Sequence, residues 1–381
     1  MKIICDDKIP FLKGALEPYA RVVYLPGQEI SAEVVKGADA MIIRTRTICD
    51  RALLEGSSVK IVATATIGYD HIDTAWCESR GIVWKNAPGC NSSSVQQYIA
   101  SVLCVLAERF NLHFKDLTLG VVGVGHVGSK VAEAARALGM KVLLCDPPRA
   151  REEGPEGFVD LNEIVSSTDI ITLHVPLSHE GLDATWHMFD SERISSLRPN
   201  QILINSSRGS VVDTLALKNA LKARRIKAAV LDVWENEPYI DLDLLNLLTI
   251  ATPHIAGYSA DGKANGTAAS VQAVAACLGL PLTDWHPQVI PAPAGFPESV
   301  PVLNLEAEGK NIQEVMSEAV LRTYDVLNDD KALHSNPELF EKLRGNYPVR
   351  RDFGAFVVRL LNGTLKAEES LTGLGFNLEE C

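Results

Sequence analysis

The sequence predicts an α/β protein with two doubly wound, Rossmann-like parallel-sheet domains, a cleft between them, and a small C-terminal α/β domain. Three observations predict this fold class. Short runs rich in Val and Ile alternate with helical stretches, which is typical of parallel sheets covered by helices on both faces. A glycine-rich turn joins one of these runs to a helix, and a proline-rich stretch sets the C-terminal part of the chain apart. A length of 381 residues suffices for two or three domains.

The first series of predicted strands opens the chain. Its members are residues 2–5, 21–25, 40–44, 60–66 and 82–86. A long helix is expected at 91–110, because Asn and Ser residues that can cap a helix precede apolar residues at helical spacing. We assign residues 1–95, together with 255–280, to a discontinuous flavodoxin-like domain, the expected substrate-binding domain if the later motifs place a ligand between two sheets.

A second series of strands follows. Its members are residues 117–125, 141–147, 169–175, 201–207, 228–233 and 248–254. Six such strands make a complete doubly wound sheet. We therefore assign residues 96–254 to a nucleotide-binding Rossmann domain, and we expect a helix at 261–279 to follow it.

Prolines dominate the next stretch, at positions 287, 291, 293, 297 and 301. This stretch can form neither a helix nor a central strand, so it is predicted to be a linker. Residues 281–381 are assigned to a C-terminal domain, in which the stretches 311–327 and 336–361 predict a small α/β or helical module. The apolar run FGAFVVRLL at 353–361 fits an interface element or an internal packing element.

Composition excludes several classes of protein. The chain carries 36 Lys and Arg against 48 Asp and Glu, a formal charge of −12, and no basic cluster, which argues against a nucleic-acid partner. Its longest apolar run, 98–107, is far shorter than the roughly 20 residues that span a bilayer, and the N-terminus does not resemble a signal peptide. The cysteines form no CxxC pair, so reduced thiols, a cytoplasmic location and no metal site are expected.

Glycines 123, 125 and 128 form a G-x-G-x-x-G motif between a predicted strand and a predicted helix. Gly123 permits a tight turn, Gly125 allows the backbone to approach a pyrophosphate, and Gly128 allows close helix packing. His126 and Val127 lie within the motif and are expected to contact the same cofactor. The motif therefore predicts a dinucleotide site.

Asp146 ends the strand that follows the glycine motif. A carboxylate at this point accepts hydrogen bonds from the ribose hydroxyls of an adenosine and repels a 2′-phosphate, so NAD is predicted rather than NADP. Arg149 is close enough in sequence to receive a 2′-phosphate, which leaves NADP as the alternative.

Three polar residues follow the last strands of the second series. Arg208 precedes Gly209, Glu237 lies in ENEP and His254 lies in TPHIAG. The carboxyl ends of parallel strands line the ligand crevice of a doubly wound sheet, so these residues are expected to converge although they are far apart in sequence.

The glycine motif, INSSRGSVVD, LDVWENEP and TPHIAGYS, in this order, resemble the D-isomer-specific 2-hydroxyacid dehydrogenases over roughly residues 1–280. The resemblance implies a catalytic triad in which His254 is the base for the C2 hydroxyl proton, Glu237 orients the imidazole, and Arg208 holds the substrate carboxylate. These roles suit the chemistry of the three side chains. Further expected cofactor contacts, each of which also fits ordinary strand-end packing, are Val175, Pro176, Ser206, Ser207, Asp232 and Gly257.

A phosphorylated substrate is favoured by the stretch IIRTRTICD. Arg44 and Arg46 supply two cations beside hydroxyl groups, a combination suited to a phosphate, although a solvated charged loop has the same composition. Thr45, Thr66 and Tyr258 match positions that bind substrate in the family.

The resemblance also implies that the C-terminal domain builds a homodimer. Two alternatives remain at this point. One is another dehydrogenase of the same family, of the phosphoglycerate or of the hydroxypyruvate/glyoxylate type. The other is an NAD-sensing protein that resembles a transcriptional corepressor and binds partners instead of turning over substrate.

Overall fold

The computed structural model describes residues 1–293, 295–296 and 300–379. Pro297 of the predicted linker and Cys381 lie outside the described residues. The chain divides into two compact units, Met1–Asn91 with Ser259–Pro291, and Ser92–Tyr258 with Ala292–Cys381, which we call the first unit and the second unit.

The strands are β1 Lys2–Asp6, β2 Arg21–Leu25, β3 Ala40–Ile43, β4 Ile61–Thr64, β5 Val83–Lys85, β6 Thr118–Val122, β7 Lys141–Cys145, β8 Ile170–Leu173, β9 Ile202–Asn205, β10 Ala228–Leu231, β11 Ile250–Ala251, β12 Val302–Glu306, β13 Val357–Leu361 and β14 Asn377–Leu378.

The helices are α1 Ala32–Val35, α2 Arg51–Leu54, α3 Thr74–Ser79, α4 Ser92–Phe110, α5 His126–Ala137, α6 Pro147–Glu153, α7 Leu161–Ser167, α8 Ser191–Ser195, α9 Thr214–Lys222, α10 Leu242–Leu245, α11 Ala260–Leu278, α12 Ile312–Thr323, α13 Val326–Ser335, α14 Phe340–Gly345 and α15 Leu365–Leu374. None of the helices in the described part of the chain is long and apolar enough to cross a membrane.

The first unit is built on a parallel sheet with strand order β2-β1-β3-β4-β5. Side chains along β1 alternate between two cores. Ile3 and Cys5 pack on the α11 side with Val271, and Ile4 packs on the other side with Leu54. Both faces are therefore covered, which explains why Ile3, Ile4 and Cys5 in the middle of the strand are all apolar. The strand order is the 2-1-3-4-5 order of doubly wound flavodoxin-like sheets.

The second unit contains the parallel sheet β11-β10-β9-β8-β6-β7. Strand β6 pairs with β7 on one side and with β8 on the other, so the chain reverses direction across the sheet at β6. Ligands bind outside the carboxyl ends of the strands at such a switch point. All the predicted strands of both series are present, and the predicted fold class is confirmed.

Helix α4 begins the second unit, and its burial differs from what its sequence predicts. Apolar residues at helical spacing predict one buried face, but the helix is buried without interruption from Ser94 to Ala107. The cause is that α4 packs against α5, α12 and α13 within one core. The alanines, the serine and the glutamines between its large side chains therefore face neighbouring helices rather than solvent.

The C-terminal residues of the second unit form a small parallel sheet, β12-β13-β14, with α12 and α15 against it. The run 353–361 forms a 3₁₀ turn and the middle strand β13. Phe353, Phe356 and Val358 lie in the same core as Leu106 of α4 and Val131 of α5. These three residues are internal packing residues, whereas Leu361 at the end of the run is exposed. The three-domain division drawn from the sequence stays a prediction.

We expect Leu371→Ala to lower the free energy of unfolding of the second unit by about 2–5 kcal/mol, because Leu371 is fully buried in this shared core. Leu215→Ala is the control, since Leu215 is 61% exposed and its truncation leaves no cavity. Urea unfolding followed by circular dichroism measures both. Equal stability of the two variants would show that the C-terminal residues do not contribute to this core.

Candidate active site

The glycine turn after β6 is shaped by two close approaches of the backbone. Gly123 has φ +85°, and a Cβ there would lie 2.7 Å from the carbonyl carbon of His174. A Cβ on Gly128 would lie 1.9 Å from the carbonyl oxygen of Gly123. No side chain fits at either position, which explains these two glycines without reference to a ligand.

Gly125 differs, because a Cβ there would meet no described atom within 4 Å. It is the N-cap of α5 and supplies no side-chain cap, and His126 beside it is exposed. The first N–H groups of a helix have no intrahelical partner and carry positive potential. An exposed helix start with open space above its glycine fits a pyrophosphate. Val127 is partly buried and packs against the core.

Asp146 holds the turns at the ends of β6 and β7 together. Its carboxylate accepts the backbone N–H of Val124 at 2.8 Å and that of Arg149 at 3.1 Å. The guanidinium of Arg149 binds Glu153 at 2.7 Å and the carbonyl of Val124 at 2.5 Å. The carboxylate is therefore placed beside the glycine turn as predicted, whereas the cation that would receive a 2′-phosphate is already engaged.

The turn after β8 packs directly on the glycine turn. A Cβ on Gly123 would lie 2.9 Å from Val175 Cγ1. Burial lowers the pKa of His174 to about 3, so its imidazole is neutral and bonds Thr172 Oγ1 at 3.0 Å. Pro176 is exposed, and its carbonyl accepts the hydroxyl of Thr185.

The turn that carries Arg208 is folded by Asn205, the last residue of β9. The Asn205 amide donates to the carbonyl of Arg208 at 2.9 Å, and its oxygen accepts both the N–H and the hydroxyl of Ser207. Arg208 donates to the carbonyl of Ser207 at 2.9 Å. Ser206 lies 3.5 Å from the ring of His174. The turn is thus fixed by its own polar groups, with Arg208 partly exposed.

Gly209 ties the Arg208 turn to the turn after β10. A Cβ at Gly209 would lie 2.0 Å from the carbonyl carbon of Trp234, so the two backbones touch. Trp234 continues the connection, because its indole N–H donates to the carbonyl of Thr252 at 3.0 Å. The turns after β9, β10 and β11 are therefore joined.

Glu237 and His254 meet at the centre of these turns. Oε2 of Glu237 lies 2.7 Å from Nδ1 of His254, and Oε1 accepts the backbone N–H of Trp234 at 2.9 Å. Burial would raise the pKa of Glu237, but its hydrogen bond to His254, the charge of that ring and the Trp234 amide outweigh burial and lower it. Glu237 is therefore a carboxylate that accepts from Nδ1 of His254, and in the neutral form of that ring this bond leaves Nε2 as the acceptor.

Asp232 holds the loop on which His254 lies. Its buried carboxylate accepts the N–H of Ile255 at 2.8 Å, the N–H of Ala256 at 2.9 Å and the hydroxyl of Thr252 at 2.6 Å. His254 has φ +55°, an unfavourable conformation for a residue with a side chain, and its own N–H donates to the carbonyl of Asp232. Burial raises the pKa of Asp232, although His254, Thr252 and the two amides oppose the shift.

Tyr258 ends the same loop, next to the partly exposed Gly257, and residues near the C-terminus of the chain surround it. Its N–H donates to the carbonyl of Ile255. The ring of Tyr347 meets its ring edge-on with 5.9 Å between centres, and the guanidinium carbon of Arg344 lies 5.7 Å from its ring centre. The C-terminal residues therefore reach the loop that carries His254.

The remaining candidates lie in the first unit. Arg44 pairs with the buried carboxylate of Asp6, with Nε 3.3 Å from Oδ2, and Thr45 and Arg46 are exposed. The hydroxyl of Thr66 lies 2.7 Å from that of Thr64 and donates to the carbonyl of Gly68. Arg44 is thus held by an acid, which the charge pattern of the sequence did not indicate.

The structure connects the Arg208, Glu237 and His254 turns as expected, and it adds residues that the sequence analysis missed or assigned only to the cofactor. Asp232 was expected to contact a cofactor, but its described partners are the His254 loop itself. Asn205, Trp234 and Arg344 were not singled out. Gly209 and Trp234 stand inside the quoted motifs and could have been noticed there. Arg344 lies 90 residues beyond His254 and no motif marks it.

Comparison with known families gives two matches. Residues 105–256 match the family described as D-isomer specific 2-hydroxyacid dehydrogenase, NAD binding domain. Residues 298–375 match a domain of unknown function. The first match spans the glycine turn, the Arg208 turn and the Glu237–His254 pair.

Curated relatives are similar over nearly the whole chain. The erythronate-4-phosphate dehydrogenase of Bacteroides fragilis is 48% identical over 358 residues, covering 93% of this chain and 98% of that protein. The protein of the same name from Porphyromonas gingivalis is 42% identical over 377 residues, covering 99% and 100%.

Among solved structures, D-lactate dehydrogenase from Aquifex aeolicus complexed with NAD and lactic acid superimposes with a TM-score of 0.61 at 28% identity. The match covers 73% of this chain and 96% of that one. About a quarter of this chain therefore has no counterpart in that enzyme, whereas the two relatives above match 93% and 99% of it.

We expect Gly209→Ala to separate the Arg208 turn from the Trp234 turn, because a Cβ cannot occupy a position 2.0 Å from a backbone carbon. The protein should melt at a lower temperature and lose most of its turnover. Gly354→Ala is the matched control, since a Cβ there meets only an ordinary 3.6 Å contact. Thermal melts and steady-state rates test this. An active Gly209→Ala protein would show that the contact does not position Arg208.

Proposed function

Because the chain belongs to the D-isomer-specific 2-hydroxyacid dehydrogenases, in the branch of the erythronate-4-phosphate dehydrogenases, we propose that it oxidises 4-phospho-D-erythronate with NAD. The product is 2-oxo-3-hydroxy-4-phosphobutanoate, and the step belongs to the biosynthesis of pyridoxal 5′-phosphate. The observation that carries this proposal is the 2.7 Å contact between Glu237 and His254. His254 lies on the loop after β11, which hydrogen bonds to Asp232 hold in place.

In this mechanism His254 Nε2 accepts the proton of the C2 hydroxyl, because Nδ1 is engaged by Glu237. The ionised Glu237 stabilises the imidazolium that forms and keeps the ring in one tautomer. Arg208 presents a planar set of donors to the substrate carboxylate and to the C2 oxygen. As the C2–H bond breaks, the hydride leaves the carbon on which the new carbonyl forms.

Bound NAD supplies the hydride acceptor. The residues proposed to hold it are Gly123, Gly125 and Gly128 with His126 and Val127 at the helix start, and Asp146 at the ribose. Val175, Pro176, Ser206, Ser207, Asp232 and Gly257 complete the proposed contacts. The open space above Gly125 and the placement of Asp146 beside the glycine turn support this assignment.

For the substrate we propose contacts from Thr45, Thr66 and Tyr258, and a grip on the phosphate by Arg44 and Arg46. The ion pair between Arg44 and Asp6 fixes the position of that cation but also competes with a phosphate for it. The Michaelis constant of an Arg44→Gln, Arg46→Gln protein for the phosphorylated acid tests the grip. An unchanged constant would remove both residues from the phosphate site.

The substrate is tested by incubating the purified protein with NAD and a panel of 2-hydroxy acids while NADH absorbance is followed. The proposal expects turnover of 4-phospho-D-erythronate well above that of glycerate 3-phosphate or lactate. Turnover of either of those acids without activity on 4-phospho-D-erythronate would assign the protein to another branch of the family.

We expect His254→Ala to lower kcat by about 10²–10⁴-fold, the usual contribution of a general base, and to leave the dissociation constant of NAD nearly unchanged. His334→Ala is the control, because it removes another imidazole–carboxylate pair, 3.2 Å from Asp330, on α13. Stopped-flow turnover and NAD titration separate the two effects. Equal losses of turnover and of NAD affinity would indicate that His254 is a structural residue.

We further propose that the protein is a homodimer, with residues 281–381 as the dimerisation domain. Exposed apolar side chains near the end of β13 and the start of α15 support this, since Leu361 is 46% and Leu365 is 78% exposed. Strand β12 also forms an edge of its sheet.

Light scattering tests the assembly. The proposal expects twice the chain mass of 41.3 kDa, and a shift towards that single-chain mass in a Leu361→Arg, Leu365→Arg protein. A wild-type protein that stays at the mass of one chain at all concentrations would refute the dimer. A dimer that the two arginines leave intact would place the interface elsewhere.

A cytoplasmic location is proposed as well. The described cysteines are free thiols, and five of them, Cys5, Cys49, Cys77, Cys104 and Cys145, are buried, as in proteins of a reducing compartment. Cell fractionation tests this, and recovery outside the cytoplasmic fraction would contradict it.

A further inference from the structure

Arg344 is a cation of the C-terminal segment that lies beside the proposed reaction centre. It is the last basic residue of α14, and its guanidinium carbon lies 5.7 Å from the ring centre of Tyr258 and 6.0 Å from that of Phe340. Tyr258 follows His254 by four positions on the loop that Asp232 holds. Helix α14, in the C-terminal part of the chain, therefore places a guanidinium beside the loop that carries His254, the proposed base.

The guanidinium of Arg344 makes few hydrogen bonds within the described protein. Nη1 lies 3.3 Å from Oε1 of Glu341, a long contact, and Nε is buried without a hydrogen-bond partner among the described residues. A buried charged donor without a partner is costly, so a side chain that has one and is also partly exposed gains from a hydrogen bond to a ligand. The side chain is 21% exposed, which leaves a path for that ligand.

The charge of Arg344 is maintained by its neighbours. Burial would lower its pKa, but the nearby groups of Tyr258, Glu237 and Glu341 outweigh burial and raise it. The same carboxylates would repel an anionic substrate as it approached His254. A fixed cation among them offsets this repulsion and favours an anion.

Arg350, another buried arginine of this segment, has a different environment. Its Nη2 donates to the carbonyls of Ser94 and Ala256 at 3.1 and 2.5 Å, and its guanidinium carbon lies 4.4 Å from the ring centre of Tyr324. It is 5% exposed. Arg350 therefore holds helix α4 and the His254 loop to the C-terminal residues, and only Arg344 of the two is open to a ligand.

The comparisons bear on the kind of anion that Arg344 would bind. The match to the lactate dehydrogenase covers 73% of this chain, and lactate carries no phosphate. The relatives named for a phosphorylated acid match 93% and 99% of the chain. The longer matches are thus those to the relatives named for a phosphorylated acid.

We propose that Arg344 binds the phosphate group of the substrate, and that through this residue the C-terminal segment selects a phosphorylated 2-hydroxy acid. The inference rests on the proposed function and deepens it. The cation that it assigns to the phosphate lies in the second unit, as do His254 and Tyr258.

The test compares two substrates, 4-phospho-D-erythronate and D-erythronate, in full-length Arg344→Gln, Arg344→Lys and wild-type proteins. Loss of a charge-assisted hydrogen bond should lower kcat/KM for the phosphorylated acid about 10- to 100-fold, mainly through KM. The value for D-erythronate should stay within about threefold of wild type, because that acid has no phosphate to lose. Arg344→Lys should recover part of the selectivity.

Lys342→Gln is the matched control, since Lys342 is an exposed cation on the same helix and its loss should leave both substrates unaffected. If Arg344→Gln lowers kcat/KM for both acids equally, or for neither, the phosphate contact is refuted while the proposed function stands. A wild-type protein inactive on 4-phospho-D-erythronate would refute both. Thermal melts exclude unfolding, and the ratio between the substrates is independent of the fraction of folded enzyme.

Discussion

The candidate site depends on one buried carboxylate. Asp232 accepts two backbone N–H groups and a hydroxyl from the loop after β11, and the chain reaches His254 with φ +55° at the start of that loop. A residue with a side chain adopts this conformation only where its surroundings determine it. The three hydrogen bonds to Asp232 hold the loop in this conformation. The orientation of the imidazole of His254 therefore depends on a carboxylate that is buried away from solvent.

The turns after β9 and β10 are positioned against this loop by close backbone and side-chain contacts. Gly209 touches the backbone of Trp234, the indole of Trp234 bonds Thr252, and Thr252 bonds Asp232. In the sequence, Arg208 comes directly before Gly209, and Glu237 comes three residues after Trp234. Three side chains from different strand ends are therefore set by one continuous series of backbone and side-chain contacts. A parallel sheet alone would fix only the edge at which they lie.

Sequence patterns predicted the strands and the polar residues that follow them, because a strand buried on both faces is a continuous apolar run and its end is marked by the first polar or glycine residues. They could not predict the even burial of α4, since that depends on helices more than 200 residues further along the chain. The partner of Arg44 was also hidden. Asp6 ends β1 and looks like a solvated acid until the sheet brings β1 beside β3.

The C-terminal residues show that a domain boundary predicted from the sequence need not coincide with the edge of a hydrophobic core. The prolines after residue 286 indicated a linker, yet α12 and α15 share a core with α4 and α5. A segment that shared no core with the site could not hold a guanidinium at a fixed distance from Tyr258. Helix α14 is packed against the nucleotide-binding sheet, because its Phe340 lies in one core with Leu231 of β10 and the following Arg350 bonds Ser94 and Ala256. In a chain of net charge −12, an anionic substrate needs local cations, and helix α14 adds Arg344 to the Arg208 that follows a strand end.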